Sequence, residues 1–318
     1  MAAIPKGVAA VLSSLKGEDF LSSADLSSDQ TIALLDLASQ LKRKNRRIDL
    51  GNRVLGLIFT KASTRTRVSF QVAMARLGGQ TVDLNPQVTQ LGRGEPLEDT
   101  ARVLSRFCDV LAVRTFGQNE LESYAKWSSI PVINALTDLE HPCQALADFL
   151  TMQETFGSLE GQTLSYVGDG NNVAHSLMIC GALLGVNVRI GCPSGFEPLP
   201  ELVSKARDLA IAGAQIELTN DPLETVKGAN AVYTDVWASM GQEKEQDIRK
   251  KAFNSFCLDK KLLSEASPDV IVLHCLPAHR GEEISSEVIE GKSSRVFDQA
   301  ENRLHVQQAL LAALLGGL

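Results

Sequence analysis

The sequence predicts an α/β protein of two doubly wound parallel-sheet domains joined by interdomain helices. Three observations carry this. The chain has 318 residues, more than a single core commonly holds, so two domains of about 150 residues each are expected. Apolar runs of about five or six residues alternate with amphipathic stretches, the pattern of strands and covering helices in parallel layers. The strand candidates also fall into two groups, separated by the helical stretch "TDLEHPCQALADFLTMQETFG".

The first group comprises Val54–Phe59, Thr81–Leu84, Val110–Arg114 and Val132–Asn134. After the first of these, "RVSFQVAMARLGG" reads as a helix whose closing Gly pair suits a C-cap. Pro142 fits the first turn of the connecting helix, where its missing N–H costs nothing. The second group comprises Leu164–Val167, Val186–Gly191, Gln215–Leu218, Ala231–Thr234 and Val270–His274, and "QQALLAALLGGL" reads as a terminal core helix. With no Gly- or Ser-rich linker and no internal repeat, the domains are expected to be closely coupled. Their bounds are 1–140, with the terminal helix 301–318 packing back on it, and 141–300.

A net charge of -7 and a pI near 5.4 argue against a nucleic-acid surface, which would need excess Lys and Arg. The longest apolar run, about Leu177–Val188, contains Gly and falls short of the roughly 20 residues a bilayer span needs. The first 17 residues lack acids, weakly like a transit peptide, but they also lack Arg and read as a plain N-terminal extension. Six cysteines, at 108, 143, 180, 192, 257 and 275, form no CxxC pair, so free thiols in a cytosolic chain are expected, with a plastid stroma as the alternative for a plant or algal mature form.

The stretch "FTKASTRTRVSF" sets three cations and several hydroxyls at a strand-to-helix junction. Free N–H groups and the positive dipole end attract anions there, and Ser63, Thr64, Thr66 and Arg65 can add hydrogen bonds. The plainer reading makes Ser63 or Thr64 an N-cap and the arginines surface residues; the density of cations favours an anion site. No "GxxxxGK[ST]" is present, so a nucleoside triphosphate is not indicated. The "LSYVGDGNNVAHS" turn begins like a dinucleotide fingerprint, but Val173 occupies the third Gly position and the next strand lacks the ribose-binding acid. The turn still suits a carboxylate, held by the helix N-terminus and the Asn171 and Asn172 amides. Asp235 in "VYTDVWASMG" and Cys275 in "IVLHCLPAHRGEE" end two further strands and would converge on this turn if those strands were neighbours. Taken singly, His141 could be a helix-entry residue, Arg114 a surface cap and Arg303 a solvated cation at a helix start.

Seven motifs in order, "STRTR" at 63–67, "DTARVLSR" at 99–106, "HPCQ" at 141–144, "GDGNN" at 168–172, "DVWASMG" at 235–241, "HCLP" at 274–277 and "ENR" at 301–303, resemble the aspartate and ornithine carbamoyltransferases over nearly the whole chain. The second-substrate motifs look like those of the ornithine-specific members; aspartate-specific members would carry "HPLPR" in place of "HCLP". The resemblance implies a carbamoyl-phosphate-binding first domain and an ornithine-binding second domain. It implies transfer of the carbamoyl group to the δ-amine of L-ornithine, giving citrulline and phosphate in arginine biosynthesis, with no metal or organic cofactor. Putrescine-specific relatives, a non-catalytic relative and a nicotinamide-dependent dehydrogenase are the alternatives.

By the same resemblance, carbamoyl phosphate is bound by Ser63, Thr64, Arg65, Thr66, Arg114, His141, Gln144, Cys275, Leu276 and Arg303, with Gln90 reaching in from a neighbouring subunit of a homotrimer. Arg93–Gly94 in that loop stands where relatives often carry Lys. Ornithine is bound by Asn172, Asp235, Ser239 and Met240. Asp235, Cys275, Arg65 and His141 are the catalytic residues, with Cys275 orienting the amine rather than forming a covalent intermediate, and Leu276–Pro277 is expected to be cis.

Overall fold

The structure, a computed structural model, describes residues 6–43, 47–85, 94–238 and 245–318. All nine predicted strands are present, as β1 (Val54–Phe59), β2 (Gln80–Leu84), β3 (Val110–Arg114), β4 (Val132–Leu136), β5 (Thr163–Val167), β6 (Asn187–Gly191), β7 (Ile216–Thr219), β8 (Ala231–Tyr233) and β9 (Ile271–Leu273). They form two wholly parallel sheets, one of order β2-β1-β3-β4 and one of order β7-β6-β5-β8-β9. Central strands such as β1 and β3 are buried nearly throughout, because helices cover both faces of a parallel sheet and leave no polar side to alternate with.

Two compact units result: Met1–Leu150 with Asn302–Leu318, and Thr151–Glu301. The division falls within the helix Pro142–Phe156 rather than before it at 140/141, so the first turns of that helix, with Gln144 and Asp148, group with the first unit. The chain returns to the first unit within the helix Val296–Leu314, so Arg303 is a mid-helix residue and not a helix start.

In the first unit, Ile58, Leu111, Val113, Leu121, Tyr124 and Val132 pack together as one core cluster. The N-terminal stretch is docked rather than loose. Its helix Lys6–Ser13 leads to buried Leu12, Leu15 and Phe20, and Phe20 exchanges backbone hydrogen bonds with Val132 and Asn134 along β4. The helix Thr64–Arg76 ends as expected: Gly78, just past it, takes a φ of 77° that only Gly adopts without strain. In the second unit, Val167, Val232, Val272, Trp237, Phe253 and Phe256 share a core under β5, β8 and β9. Among the described residues no helix is long and apolar enough to cross a membrane.

Strand order reverses between β1 and β3 in one sheet and between β5 and β8 in the other. Ligands of open α/β sheets bind outside the carboxyl ends of strands at such switch points. The segments that leave β1, β3, β5, β8 and β9 carry most of the residues singled out from the sequence.

Candidate active site

The first unit carries a candidate anion half-site. Ser63 caps the helix Thr64–Arg76, its hydroxyl accepting from Thr66 N–H at 3.3 Å, and no acid occupies the first turn, so the positive end of the dipole is undiluted. Thr66 is buried and its hydroxyl accepts from Arg303 Nη2. Arg303 Nη1 donates to Gln144 Oε1 at 2.9 Å, and Gln144 Nε2 donates to Asp148 Oδ1 at 2.7 Å. Asp148 thereby fixes which end of the Gln144 amide faces Arg303.

His141 lies beside this chain of hydrogen bonds, at 4% exposure. Burial, and then the positive charges of Arg303, Arg114 and Arg65, hold its imidazole well below the ordinary histidine range. It is therefore neutral at physiological pH and can donate one hydrogen bond without adding a fourth charge. The cations of the opening stretch divide differently from the expectation. Lys61 pairs with Asp138 at 2.5 Å and lies over the Phe116 ring, and Arg67 pairs with Asp83, which leaves Arg65 as the one of the three that acts on His141.

The second unit carries a cluster of different character. Asn171 caps the helix Asn172–Leu183, its Oδ1 accepting from Val173 and Ala174 N–H, while its Nδ2 donates to Asp235 Oδ2 at 3.1 Å. Cys275 Sγ donates to Asp235 Oδ1 at 3.0 Å. Asp235, Cys275 and the 168–172 turn thus converge, because β5, β8 and β9 are adjacent. Leu276 follows with a φ of 59°, rare for a residue with a side chain, and the Leu276–Pro277 bond is cis. Ser239, Met240 and Gln90, the remaining expected site residues, lie outside the described residues.

Two alternatives are answered by the same geometry. A Cβ on Gly170 would sit 2.3 to 2.6 Å from backbone atoms of Phe196, Glu197 and Pro198, and Gly170 N–H donates to Phe196 O at 2.8 Å. The glycine face that a dinucleotide pyrophosphate would need is covered by the protein's own chain. Asp235, His274 and Cys275 have ligand atoms within 4.8 Å of one another, the spacing of a metal site. His274 is occupied, however: Nδ1 accepts from Leu276 N–H at 2.9 Å, so the hydrogen is on Nε2, which faces Glu283 Oε1 at 3.0 Å. As arranged, that ring has no lone pair for a cation and cannot serve as base to the Cys275 thiol.

Sequence reasoning passed over Asp148, Glu283 and Arg249, and gave Asn171 no role in holding Asp235. Asp148 had a signal, since it lies four residues after Gln144 on one helix face. Arg249 had none, being one cation in the charged run "EKEQDIRKK".

Fold and sites define a class: a two-domain α/β protein with a capped helix N-terminus and a buried arginine at the switch point of one unit and an amide, carboxyl and thiol cluster at that of the other. The chain belongs to the aspartate/ornithine carbamoyltransferase family. Residues 18–154 match the family's carbamoyl-P binding domain and residues 160–314 its Asp/Orn binding domain. The chain is 77% identical over 318 residues, the full length of both chains, to the ornithine carbamoyltransferase of Prochlorococcus marinus (strain MIT 9313). It is 62% identical to that of a Nostoc species (strain PCC 7120) over 96% of this chain and 99% of that one. Among solved structures, the ornithine carbamoyltransferase from Pyrococcus furiosus matches with a TM-score of 0.92 at 48% identity, covering 96% of this chain and 99% of that one.

Proposed function

We propose that this protein transfers the carbamoyl group of carbamoyl phosphate to the δ-amine of L-ornithine, giving L-citrulline and phosphate in arginine biosynthesis. The observation that carries the choice of amine is the Asp235 cluster. A buried carboxyl, held by Asn171 and Cys275 beside the positive end of the helix Asn172–Leu183, complements the ammonium and carboxylate of an α-amino acid. Relatives that share most of this chain bear the name ornithine carbamoyltransferase.

In this reading Ser63, Thr64, Arg65 and Thr66 hold the phosphate at the helix start, and Arg114 adds charge. Gln90 of a neighbouring subunit completes the site in a homotrimer. Thr66, His141 and Arg303 direct hydrogen bonds at the carbonyl oxygen, and the second lone pair of Gln144 Oε1 takes a hydrogen of the carbamoyl NH2 group. In the second unit Asn172 and the Met240 backbone receive the α-carboxylate, Asp235 and Ser239 the α-ammonium.

The δ-amine resembles that of Lys, with an ordinary pKa of about 10.4, so little of it is nucleophilic at neutral pH. Cys275 and the Leu276 carbonyl orient it. The neutral nitrogen attacks the carbonyl carbon and the C–N bond forms. Charge collects on the oxygen facing His141, Arg303 and Thr66, and the C–O bond to phosphate breaks with its electron pair leaving on phosphate. The proton lost by nitrogen passes to the departing phosphate or to the Cys275–Asp235 pair. Direct attack needs no acyl-enzyme, in keeping with a His274 ring whose Nδ1 is taken by the Leu276 N–H and so does not activate the Cys275 thiol.

The test is a steady-state assay with carbamoyl phosphate and L-ornithine, L-aspartate, putrescine or N-acetylornithine. Ornithine is expected to be preferred by orders of magnitude. Preference for putrescine would overturn the amino-acid half of the reading, and no transfer to any amine would overturn the whole. A cytoplasmic homotrimer is part of the proposal; light scattering should return three times the 34.3 kDa chain mass.

A further inference from the structure

Arg249 lies on the helix Gln246–Ala252, outside every group assigned above, yet its side chain is only 8% exposed. Its Nη1 donates to Asp169 Oδ2 at 2.9 Å and to the Trp237 carbonyl oxygen at 2.9 Å, and its Nε donates to Glu245 Oε2 at 3.0 Å. The guanidinium lies 5.0 Å from the centre of the Phe196 ring, which itself packs edge-on against Phe253 at 4.8 Å. A planar group with donors fixed in a fork can meet this many partners in one geometry; a flexible ammonium cannot.

Three of the four partners, all but the neighbouring Glu245, belong to pieces of the amino-acid half-site. Asp169 is the second residue of the turn that ends in Asn171 and Asn172. Trp237 follows Asp235 by two residues. Phe196 is the residue whose carbonyl receives Gly170 N–H. One buried cation thus ties three chain segments that otherwise meet through hydrogen bonds such as Asn171 to Asp235 and through the packing of Phe196 and Trp237 on Phe253. Burial pushes the Asp169 carboxyl up to about 6, with Arg249 pulling it back down, so without Arg249 the carboxyl would lose its main reason to stay ionised. Breaking a buried pair by removing one partner is disruptive where the pair itself is only modestly stabilising.

We propose that Arg249 is the positioning residue of the amino-acid half-site. It locks the Gly168–Asn172 turn to the end of β8 and so sets the affinity for the α-amino-acid end of the substrate. None of its partners named here belongs to the first unit, so affinity for carbamoyl phosphate should be indifferent to it. The inference rests on the ornithine reading above, and the experiment separates the two. Wild-type protein that carbamoylates no ornithine overturns that reading before any variant is made.

Given wild-type activity, R249M, R249K and D169N are compared by titrating each substrate at saturation of the other. Equilibrium binding of L-norvaline, which keeps the α-amino-acid end and lacks the δ-amine, is measured alongside. In R249M the KM for ornithine and the Kd for norvaline should rise ten-fold or more together, with the KM for carbamoyl phosphate unchanged within two-fold. R249K should fall between, since lysine can satisfy one or two of the partners but not all. Unchanged ornithine and norvaline affinities in a folded variant would overturn the proposal, as would both KM values rising in parallel. A loss of kcat alone, in proportion to the folded fraction, would also overturn it, being the mark of a merely structural residue. If R249M does not fold, R249K and D169N carry the same comparison.

Discussion

Replacing Arg303 with Met separates what this arginine does for turnover from what it does for stability. The guanidinium is 3% exposed and donates to Gln144 Oε1 at 2.9 Å and to the Thr66 hydroxyl. Its loss leaves two buried acceptors short of a donor, at about 1–3 kcal/mol each. Against that, the folded protein no longer desolvates a cation, a penalty of several kcal/mol that a methionine of similar reach does not carry. The terms oppose one another, and the net change in folding free energy should be within about 2 kcal/mol, a shift of at most about 3 °C in Tm for a chain of this size at about 2.1 cal/mol/K per residue. Turnover has no such offset. Losing one donor aimed at a developing oxyanion typically lowers kcat by about 10²–10³, or about 2.7–4 kcal/mol. The assay is kcat at saturation of both substrates, with the melting midpoint on the same preparation. A folded R303M whose kcat falls by less than about ten-fold would refute the placement of Arg303 at the reacting carbonyl.

C275A should lower kcat while leaving carbamoyl phosphate affinity largely intact; complete loss of that affinity by calorimetric titration would show the thiol misassigned. His141 gives stability a pH signature. Its folded-state pKa is depressed, so below about pH 6.5 the unfolded chain binds a proton that the buried imidazole refuses, and stability falls as pH is lowered. The slope difference between wild type and H141Q, read from urea midpoints between about pH 7 and 5, should approach about 1.4 kcal/mol per pH unit. Asp169, raised to about 6, acts oppositely, adding stability below about pH 4 that is lost as pH rises through 6, but it is common to both proteins and cancels. Parallel slopes would mean that the imidazole takes up its proton normally in the fold.

The central strands were legible because a strand buried on both faces is an uninterrupted apolar run, and no strand end, the exposed edge strands β2 and β7 included, moved by more than two residues. The anion half-site was legible where it is local, since Ser63 to Thr66 are consecutive and cap their own helix. Longer-range choices were not. Nothing in "FTKASTRTRVSF" says that Lys61 and Arg67 will be taken by Asp138 and Asp83. Arg303 read alone is an ordinary helix cation, because the groups that bury it are 159 and 237 residues away in sequence. Asp235 and Cys275 could be linked only conditionally, since which strands lie side by side is decided by topology. Arg249 illustrates the limit: a run of alternating charge looks the same whether one of its members faces water or a buried carboxyl.

The return of the chain to the first unit has a consequence for the order of synthesis. Residues 6–150 contain the whole first sheet, yet Thr66 and Gln144 take hydrogen bonds from Arg303, and Gly17 and Lys42 are tied to Leu314 and Asn302 by hydrogen bonds of 3.0 and 2.8 Å. A nascent chain emerging N-terminus first can close the second sheet before the first unit is complete. The buried hydrogen bonds of Thr66 and Gln144 to Arg303 therefore form only after the helix Val296–Leu314 has begun to leave the ribosome, and a product truncated before residue 303 would keep the Ser63–Thr66 turn without the cation that meets it.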